Sequence, residues 1–491
     1  MIRPSLEEAK KFFKDYTIVP VCREIFADIR TSVEILKIFM AENKKCYLLE
    51  SVESFAFGET WGRYSFLGCD PKLTVRCNDN KVFINDGEEK EVITDDPVKI
   101  VRGIISEYKS PKIEYMPPFT GGLTGYFSYD FVKYSEKSLN LSNSNDENFD
   151  DFYLMLFDTI IAFDHLKQKI FIIVNVPVVD FEKNFIKAEM KLKEMEELIR
   201  NGVTKEEQKS ELKSGFKMLH DKKEFMNMIG KIKEHIHEGD IFQAVISNRS
   251  EADFSGNLIQ SYRVLRTTNP SPYMFYFNFG DVEIAGASPE TLVTLKNNKI
   301  INYALAGTCR RGANAAEDEL LISQLLSDEK ELSEHNMLVD LGRNDLGKVS
   351  KFGSVGVTEY MKILKFSHVS HIASVISSTI EDSYDHLDAL SAVLPAGTLS
   401  GAPKKRACEI INDLEKHKRG TYGGAIGYID FTGNMDMCIA IRMAKLQNGK
   451  VYVQSGAGVV ADSDPEKEYN ECSQKARAVI NALQIAQEEK I

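Results

Sequence analysis

Residues 423–458 read GGAIGYIDFTGNMDMCIAIRMAKLQNGKVYVQSGAG, and this stretch is the most informative about the fold. Runs of β-branched and aromatic residues are separated by tight turns, one of them at Asn448-Gly449, a dipeptide that favours a hairpin. The stretch therefore predicts three strands in succession. Strands joined by such short turns pair antiparallel, because a parallel pair needs a long crossover connection.

The same pattern of short strands and tight turns recurs along the chain. Residues 273–287 predict a hairpin that turns at Gly280-Asp281, and residues 291–307 predict one that turns at Asn297-Asn298. Apolar residues at helical spacing predict helices at 182–202, 223–240, 315–342 and 465–487. We therefore predict an α+β fold, in which large antiparallel sheets pack as a sandwich, helices lie outside and the active site occupies a cleft.

A charged linker divides the sequence into two parts. It follows the predicted helix that ends at Asn201-Gly202 and runs to about Lys223. With 491 residues, the chain is long enough for two domains. We expect an N-terminal domain of residues 1–215 and a C-terminal catalytic domain of residues 216–491.

The bulk composition excludes several classes of partner. A formal net charge of -12 argues against nucleic acid as the main ligand, because a phosphate backbone calls for a basic surface. The apolar stretch at 170–179 is too short to cross a bilayer, and the first residues lack the apolar core of a signal peptide. The eight cysteines show no zinc-site spacing and suit a reducing compartment. We expect a cytoplasmic protein that binds neither membranes nor nucleic acid.

The segment SGAGVVADSDPEKEYNEC (455–472) places five carboxylates after a glycine turn. A dinucleotide loop is one interpretation, but Pro465 suits the first turn of a helix that begins only after the G-x-G-x-x-A pattern. A capped, solvated helix is a second interpretation and explains acids in the first turn through the helix dipole. It does not explain Glu468 and Glu471, which share one helix face with more apolar positions.

A second predicted helix repeats this arrangement with Glu331 and Glu334. Two helices that each offer a carboxylate pair could bracket a hard cation. Mg²⁺ prefers oxygen ligands and retains several waters. Such a cation would neutralise an anionic substrate, which reconciles a negatively charged protein with a negatively charged ligand.

Eight motifs follow one another along the second half of the chain: GDIFQAVISNR (239–249), GASPE (286–290), LAGTCRRG (305–312), SEHNMLVDLGRNDLG (333–347), SHVSH (367–371), GTLSGAPKKRA (397–407), YGGAIGY (422–428) and GAGVVADSDPEKEYNE (456–471). Together they resemble the chorismate-utilising enzymes, and most of all the component I branch of the anthranilate synthases. The resemblance covers essentially all of 220–491. LLES (48–51) and GRYSFLG (62–68) resemble the first domain of the same branch.

Three positions indicate the branch of the family. Gln243 stands where the water-adding relatives carry a lysine base, and a neutral amide cannot activate water. Ala306 stands where aminodeoxychorismate synthases often carry a nucleophilic lysine, so ammonia should attack the ring directly. Thr398 also resembles the anthranilate branch. The resemblance implies the conversion of chorismate and ammonia to anthranilate and pyruvate, the first step of tryptophan biosynthesis.

The resemblance also implies catalytic roles. Glu290 would protonate the leaving C4 hydroxyl, and His371 would act in acid–base chemistry or orient the substrate, with Gln243 and Thr398 completing the catalytic set. The alternatives are an ordinary glutamate at the start of an element, and a satisfied core histidine in an apolar helix.

The resemblance implies metal-binding and substrate-binding residues in the same way. Glu334 and Glu471 would bind Mg²⁺ directly, while Glu331 and Glu468 would hold metal-bound waters. The residues that would contact chorismate are Gly307, Thr308, Tyr422, Arg442, Gly456, Ala457, Gly458 and Lys475. For Tyr422 and Arg442, the alternative is a strand pair on a sheet surface.

Regulation and partners are implied as well. Ser51, Pro272, Tyr273 and Met274 resemble a tryptophan feedback site, with a plain domain interface as the alternative. The chain has no G-x-C-x-G-H-Q sequence of a glutaminase, so we expect free ammonia or a separate glutamine amidotransferase subunit (component II), in a heterotetramer. Two other functions stay open: aminodeoxychorismate synthase component I, and a non-catalytic tryptophan-binding sensor.

Overall fold

Two large antiparallel sheets carry most of the chain in the computed structural model, which describes residues 2–42, 44–51, 55–56, 59–60, 62–139, 141, 143–145, 147–205, 209–365 and 369–488. Within these residues, the first sheet has fourteen strands, the second has eleven, and one small hairpin stands apart. The α+β prediction is confirmed.

The strands are β1 (Ile2–Arg3), β2 (Ile18–Phe26), β3 (Cys46–Glu50), β4 (Phe55–Ala56), β5 (Glu59–Thr60), β6 (Tyr64–Cys69), β7 (Leu73–Asn78), β8 (Lys81–Asn85), β9 (Glu89–Ile93), β10 (Gly122–Phe127), β11 (Phe152–Phe157), β12 (Thr159–Asp164), β13 (Lys169–Pro177), β14 (Glu211–Leu212), β15 (Lys217–Met218), β16 (Gln243–Ser255), β17 (Tyr273–Asn278), β18 (Val282–Ser288), β19 (Thr291–Lys296), β20 (Lys299–Arg310), β21 (Gly356–Lys365), β22 (Val369–Thr379), β23 (Gly401–Ala402), β24 (Ala425–Asp430), β25 (Met435–Ile439), β26 (Met443–Gln447) and β27 (Lys450–Val459).

The α-helices are α1 (Leu6–Ala9), α2 (Ser32–Ala41), α3 (Pro97–Ser106), α4 (Val132–Ser135), α5 (Phe181–Asn201), α6 (Lys222–His237), α7 (Ile259–Thr268), α8 (Ala315–Leu325), α9 (Glu329–Gly347), α10 (His386–Val393), α11 (Lys404–Glu415) and α12 (Pro465–Glu488). A short 3₁₀ turn covers Gly397–Leu399. None of the described helices is both long and apolar enough to span a membrane.

The core has three main apolar layers. In β17, Phe275 and Phe277 face the second sheet, while Met274 and Tyr276 face the helices, because successive side chains of a strand point to opposite faces. The helix-facing side of the first sheet packs against α2, α5, α7 and α12. The outer face of the second sheet packs against α3, α9 and α10. The helices therefore lie outside a two-sheet sandwich, as predicted.

Both sheets contain strands from both halves of the chain. In the first sheet, β3 lies between β6 and β17, with Glu50 opposite Met274. In the second sheet, β10 pairs with β24, with Gly125 opposite Gly427. The predicted division at residue 215 does not coincide with a boundary between sheets, and it stays a prediction about domains.

Two local predictions are wrong. Residues 423–458 form four strands, β24 to β27, where we predict three. The extra break falls between β25, in the second sheet, and β26, in the first, and Arg442 has a φ of 53° there because the chain must turn from one sheet to the other. The predicted helix at 315–342 is two helices, because the Asp328 side chain accepts the N–H groups of Lys330 and Glu331 and starts α9 anew.

Candidate active site

The candidate catalytic residues lie where the two sheets meet α9 and α12. Helix α9 packs on β20 and β22, and α12 packs on β27. Strand β16 pairs with β27 and with the short β23, which follows the 3₁₀ turn. These contacts bring six of the motifs recognised in the sequence to one cleft.

Glu290 connects β18 to β19 and carries the most perturbed carboxyl of the cleft. Its Oε1 accepts a hydrogen bond from Thr398 Oγ1 at 3.0 Å. The residue keeps some exposure to the cleft, but its carboxyl is surrounded by protein, and burial raises its pKa from 4.5 to about 7 against smaller lowering effects of Thr398 and Lys475. A carboxyl with this pKa is about half protonated near neutral pH and can serve as a general acid.

His371 lies on strand β22, so the apolar-helix alternative is wrong. Its Nδ1 is 2.9 Å from Thr308 Oγ1, and burial lowers its pKa, which favours the neutral imidazole. The first two residues of the motif SHVSH, 367 and 368, lie outside the described residues. The structure thus pairs two predicted site residues, His371 and Thr308.

A β-bulge at Gly307 produces this pairing. Ala306 stands opposite Ile372 and Thr308 opposite His371, so Gly307 is the extra residue of β20. Its φ is +73°, a backbone conformation that glycine adopts without strain. The bulge re-aims the end of β20 and turns Thr308 toward the histidine.

The two carboxylate pairs approach each other across the cleft. Burial raises the pKa of Glu331, and the charges of Glu334 on its own helix and of Glu471 on α12 raise it further. Burial likewise raises the pKa of Glu468, again with a contribution from Glu471. Glu334 and Glu471 therefore belong to one electrostatic cluster, and the like charges repel unless a cation offsets them.

Two side chains of the cleft already contact the predicted metal ligands. Gln243 Nε2 lies 3.4 Å from Glu334 Oε1, at the weak end of a hydrogen bond. Lys475 Nζ lies 2.6 Å from Glu471 Oε1 and 3.2 Å from the carbonyl oxygen of Gly456. Lys475 thereby joins α12 to β27.

The glycines of β27 are required by close neighbours. A Cβ on Gly456 would lie 2.7 Å from Ile246 O and 2.9 Å from the Tyr422 hydroxyl. A Cβ on Gly458 would lie 2.9 Å from Gln243 Nε2. Ala457 faces the opposite way, with its side chain in an apolar cluster behind the strand. Of these three residues of β27, the two glycines border the cleft.

Tyr422 and Arg442 lie outside the strands, so the alternative of a strand pair on a sheet surface is wrong. Tyr422 is buried just before β24, and Arg442 lies in the turn between the sheets. Arg442 donates a hydrogen bond to the carbonyl oxygen of Lys475 at 3.3 Å, and burial lowers its pKa. A partly buried guanidinium of this kind suits a carboxylate ligand.

The sequence analysis did not predict the hydrogen bonds that hold the 3₁₀ turn of Thr398 in place. Arg419 is buried and binds both carboxylate oxygens of Glu415, at 2.6 and 2.8 Å. It also donates to Leu399 O at 2.7 Å and to Val245 O at 2.6 Å, which ties the turn to the strand that carries Gln243. The only signal in the sequence was an i,i+4 charge pair, which is usually exposed.

Replacing Arg419 by Met should destabilise the fold by about 3–5 kcal/mol, because it leaves the buried Glu415 carboxylate without its partner. Urea unfolding measures the loss. The matched control is Arg200→Met, which breaks the exposed i,i+4 pair with Glu196 and should cost at most about 1 kcal/mol. Equal losses in the two variants would contradict a structural role for the buried pair.

The residues of the predicted regulatory site lie on neighbouring strands. Ser51 follows β3, and Pro272, Tyr273 and Met274 begin the adjacent β17. The Ser51 Oγ is buried and has no hydrogen-bond partner among the described residues. The Tyr273 hydroxyl lies 3.0 Å from Thr291 Oγ1, next to Glu290 in the chain.

A carboxyl with a raised pKa, an imidazole with a lowered pKa and clustered carboxylates beside a guanidinium indicate an enzyme rather than a structural scaffold. Residues 45–481 match the family described as chorismate binding enzyme. The chain belongs to this family.

Full-length relatives agree with the family match. The chain is 45% identical to an anthranilate synthase component 1 of Acetivibrio thermocellus, over 99% of this chain and 100% of the relative. It is 42% identical to the protein of that name from Aquifex aeolicus, over 99% of this chain and 98% of the relative. The crystal structure of anthranilate synthase component I from Streptococcus pneumoniae superposes with a TM-score of 0.75 at 34% identity, covering 93% of this chain and 98% of that one.

Proposed function

We propose that the chain converts chorismate and ammonia to anthranilate and pyruvate as an anthranilate synthase component I. The observation that carries the proposal is the enclosed Glu290 carboxyl, whose pKa of about 7 fits a proton donor to a poor leaving group. Relatives with the same printed name match almost the whole chain, which supports this branch of the family.

The residues of the cleft would divide the chemistry as follows. Ammonia adds to C2 of the ring while Glu290 protonates the departing C4 hydroxyl, which leaves as water. The C2 proton is then lost and enolpyruvate departs, which restores aromaticity. Arg442 and Tyr422 would hold the enolpyruvyl carboxylate, and the neutral His371, held by Thr308, would orient the C4 side or exchange protons there.

Two neutral side chains favour ammonia as the nucleophile. Gln243 is buried, and its amide donates toward Glu334, so it offers no base that could activate water. Ala306, beside the bulge at Gly307, offers no nucleophile for a covalent adduct. Both favour direct attack by ammonia over the alternatives of isochorismate or aminodeoxychorismate formation.

The carboxylate cluster is the candidate site for Mg²⁺. Glu334 and Glu471 would bind it, with Glu331 and Glu468 holding its waters, and all offer the oxygen atoms that this ion prefers. Burial, together with the negative charge of Glu471, raises the pKa values of Glu331 and Glu468, which indicates a place where a cation would be stabilised. When bound, the ion would supply positive charge for the ring carboxylate.

The cysteines suggest the compartment of the proposed enzyme, and the names of its relatives suggest a partner subunit. All eight cysteines are free, which suits the reducing cytoplasm. We expect a glutamine amidotransferase subunit to supply ammonia in a heterotetramer, as the term component 1 suggests.

A product assay tests the proposed function. The purified chain is mixed with chorismate, ammonium and Mg²⁺, and anthranilate is followed by fluorescence and pyruvate by a coupled assay. We expect equal amounts of both products. Isochorismate or aminodeoxychorismate as the product would overturn the assignment, and tryptophan binding without any turnover would indicate the sensor instead.

Tryptophan should inhibit the reaction through the cluster of Ser51, Pro272, Tyr273 and Met274. The buried Ser51 hydroxyl lacks a partner among the described groups and is available to a ligand. We expect Ser51→Ala to weaken tryptophan binding about tenfold, as loss of a hydrogen bond of about 1.4 kcal/mol would, without changing kcat. Inhibition curves measure this, with the remote Ser106→Ala as the control. Unchanged inhibition in Ser51→Ala would remove this residue from the regulatory site.

A further inference from the structure

The side-chain hydroxyl of Tyr273 joins the two sheets of the molecule. Tyr273 begins β17 in the first sheet, while Thr291 on β19 and Asp436 on β25 lie in the second. The Tyr273 Oη lies 2.9 Å from Asp436 Oδ1 and 3.0 Å from Thr291 Oγ1. Because a carboxylate only accepts, the Tyr273 hydroxyl donates to Asp436 and its oxygen accepts from the hydroxyl of Thr291. We call these three residues the hydroxyl bridge.

One end of the hydroxyl bridge adjoins the proposed acid. Thr291 is buried and follows Glu290 directly in the chain. The backbone N–H of Glu290 donates to Ser288 Oγ at 3.4 Å, and its carbonyl oxygen accepts from the N–H of Ile439 at 3.0 Å. Thr291 is thus part of the framework that fixes the backbone of the acid. A displacement of Thr291 therefore changes the direction in which the Glu290 carboxyl points.

The other end of the hydroxyl bridge leads to the guanidinium proposed to hold the substrate. Asp436 lies on β25, which ends at Ile439, and Arg442 follows in the turn between the sheets. Ser288 Oγ donates to the carbonyl oxygen of Ile439 at 2.7 Å, so the end of β25 is also tied to the segment of the acid. One tyrosine hydroxyl therefore contacts the strands that lead to both the proton donor and the carboxylate-binding arginine.

The ring that carries this hydroxyl belongs to the proposed tryptophan site. Tyr273 and Met274 lie on β17, which pairs with β3 just ahead of Ser51. A phenol ring moves together with its hydroxyl, so an effector that displaces the ring also disturbs the two hydrogen bonds of the bridge. A misplacement of about 1 Å at a catalytic group costs up to about a hundredfold in rate.

We propose that Thr291 and Asp436 are positioning residues through which the Tyr273 hydroxyl couples tryptophan binding to the acid Glu290. The inference rests on the proposed function, because it assigns a route to the proposed inhibition. With the hydroxyl bridge closed, the acid and the arginine turn are held for chorismate. Tryptophan binds better when the ring is displaced and the bridge is open. Because binding free energies are linked, chorismate then weakens tryptophan binding by the factor by which tryptophan weakens chorismate binding.

Removing the hydroxyl of Thr291 tests the coupling. Thr291→Val keeps the branched shape of the side chain and removes the donor to Tyr273. In the wild type, saturating chorismate without ammonium should raise the Kd of tryptophan at least about tenfold, as measured by calorimetry. In Thr291→Val, we expect this ratio of Kd values to fall below about threefold, while tryptophan alone still binds within about threefold of the wild type. A variant that is merely less stable keeps the ratio.

The control for this ratio is Thr124→Val. Thr124 is a buried residue of β10, and its hydroxyl has no hydrogen-bond partner among the residues that the structure describes. The change removes a buried threonine hydroxyl outside the hydroxyl bridge, so the effect of chorismate on tryptophan binding should match that in the wild type. A wild-type ratio in Thr291→Val, or the same fall in the control, overturns the coupling.

Replacing Asp436 gives a second, independent measurement. Asp436→Asn keeps the shape but loses the charge, which weakens the hydrogen bond from the Tyr273 hydroxyl. With chorismate near its KM, we expect saturating tryptophan to leave at least about half of this variant's own uninhibited activity, where the wild type keeps less than about a tenth. This measurement decides the matter if Thr291→Val fails to fold, and inhibition as complete as in the wild type overturns the coupling.

The wild-type measurements separate this inference from the function on which it rests. A wild-type chain that forms no anthranilate from chorismate and ammonium overturns the proposed function. A wild-type chain that turns over but binds no tryptophan overturns the regulatory site and the coupling together. Turnover and tryptophan binding without any effect of chorismate on the Kd of tryptophan overturn the coupling alone.

Discussion

Replacing Glu290 by Gln is expected to lower kcat by about a thousandfold and to leave the KM for chorismate nearly unchanged. General acid catalysis contributes about 10²–10⁴-fold, and glutamine keeps the shape of the side chain but has no proton to donate to the leaving hydroxyl. Steady-state kinetics with saturating ammonium and Mg²⁺ measure the effect. The matched control is Glu283→Gln, another enclosed glutamate with a raised pKa, which bonds Tyr276 away from the cleft. It should keep kcat within a few fold.

The same variant has a pH signature. In the wild type, kcat should fall as the pH rises through about 7, because the acid must be protonated, and the residual activity of Glu290→Gln should lack this limb. A wild-type profile that stays flat from pH 6 to 8 would contradict the assignment of Glu290 as the acid.

The raised pKa of Glu290 also affects folding. Because the folded pKa of about 7 exceeds the ordinary 4.5, the folded state binds more protons than the unfolded state between these pH values. The stability it contributes is complete below pH 4.5 and is lost as the pH rises through about 7, by roughly 3 kcal/mol in all. We therefore expect Glu290→Gln to melt above the wild type at pH 8, with a smaller difference at pH 5. The same Tm difference at both pH values would contradict the pKa.

Replacing Glu471 by Gln is expected to lower turnover more than a hundredfold at a Mg²⁺ concentration that saturates the wild type. The change removes one of the two proposed ligands and leaves Lys475 without its partner in the cleft. Titration of activity with Mg²⁺ should show a large increase in the concentration required. Tryptophan binding, followed by calorimetry, should persist, because Ser51 follows β3 and Met274 lies on β17, which is three strands away from β27, the strand on which α12 packs.

The control for this prediction lies on the same helix. Glu466 is exposed and pairs with Lys222, so Glu466→Gln should keep activity within twofold. Chelation of divalent ions should abolish the wild-type activity, and added Mg²⁺ should restore it. Full activity of the wild type in chelator, or of Glu471→Gln at low Mg²⁺, would remove the metal from the proposed mechanism.

The sequence predicted those features that depend on neighbours along the chain. Turn dipeptides such as Asn297-Asn298 locate hairpins, and both of these residues have the positive φ that such turns require. The i,i+3 spacing of Glu468 and Glu471 predicts one helix face. Such local patterns were enough for the fold class and for the metal-binding hypothesis.

The features that the sequence did not predict depend on contacts between distant segments. No local sequence pattern indicates that β25 and β26 belong to different sheets, so the sequence does not predict the turn at Arg442. Arg419 is buried only because Leu399 and Val245 come to it from elsewhere in the chain. The small cavity beside Glu290 is similar, since residues of helices α9 and α10 and of strands β19 and β20 together line it.

The interleaving of strands from both halves has a consequence for dissection of the molecule. A cut near residue 215 would expose β3 and β10 on one fragment and β17 and β24 on the other as open sheet edges, which invite aggregation. The amino-terminal half is thus unsuited to transfer as an independent sensor to another enzyme. Strand β17, which carries part of the proposed tryptophan site, pairs with β18, which leads to the proposed acid Glu290, so transfer of one strand without the other would disrupt the shared sheet.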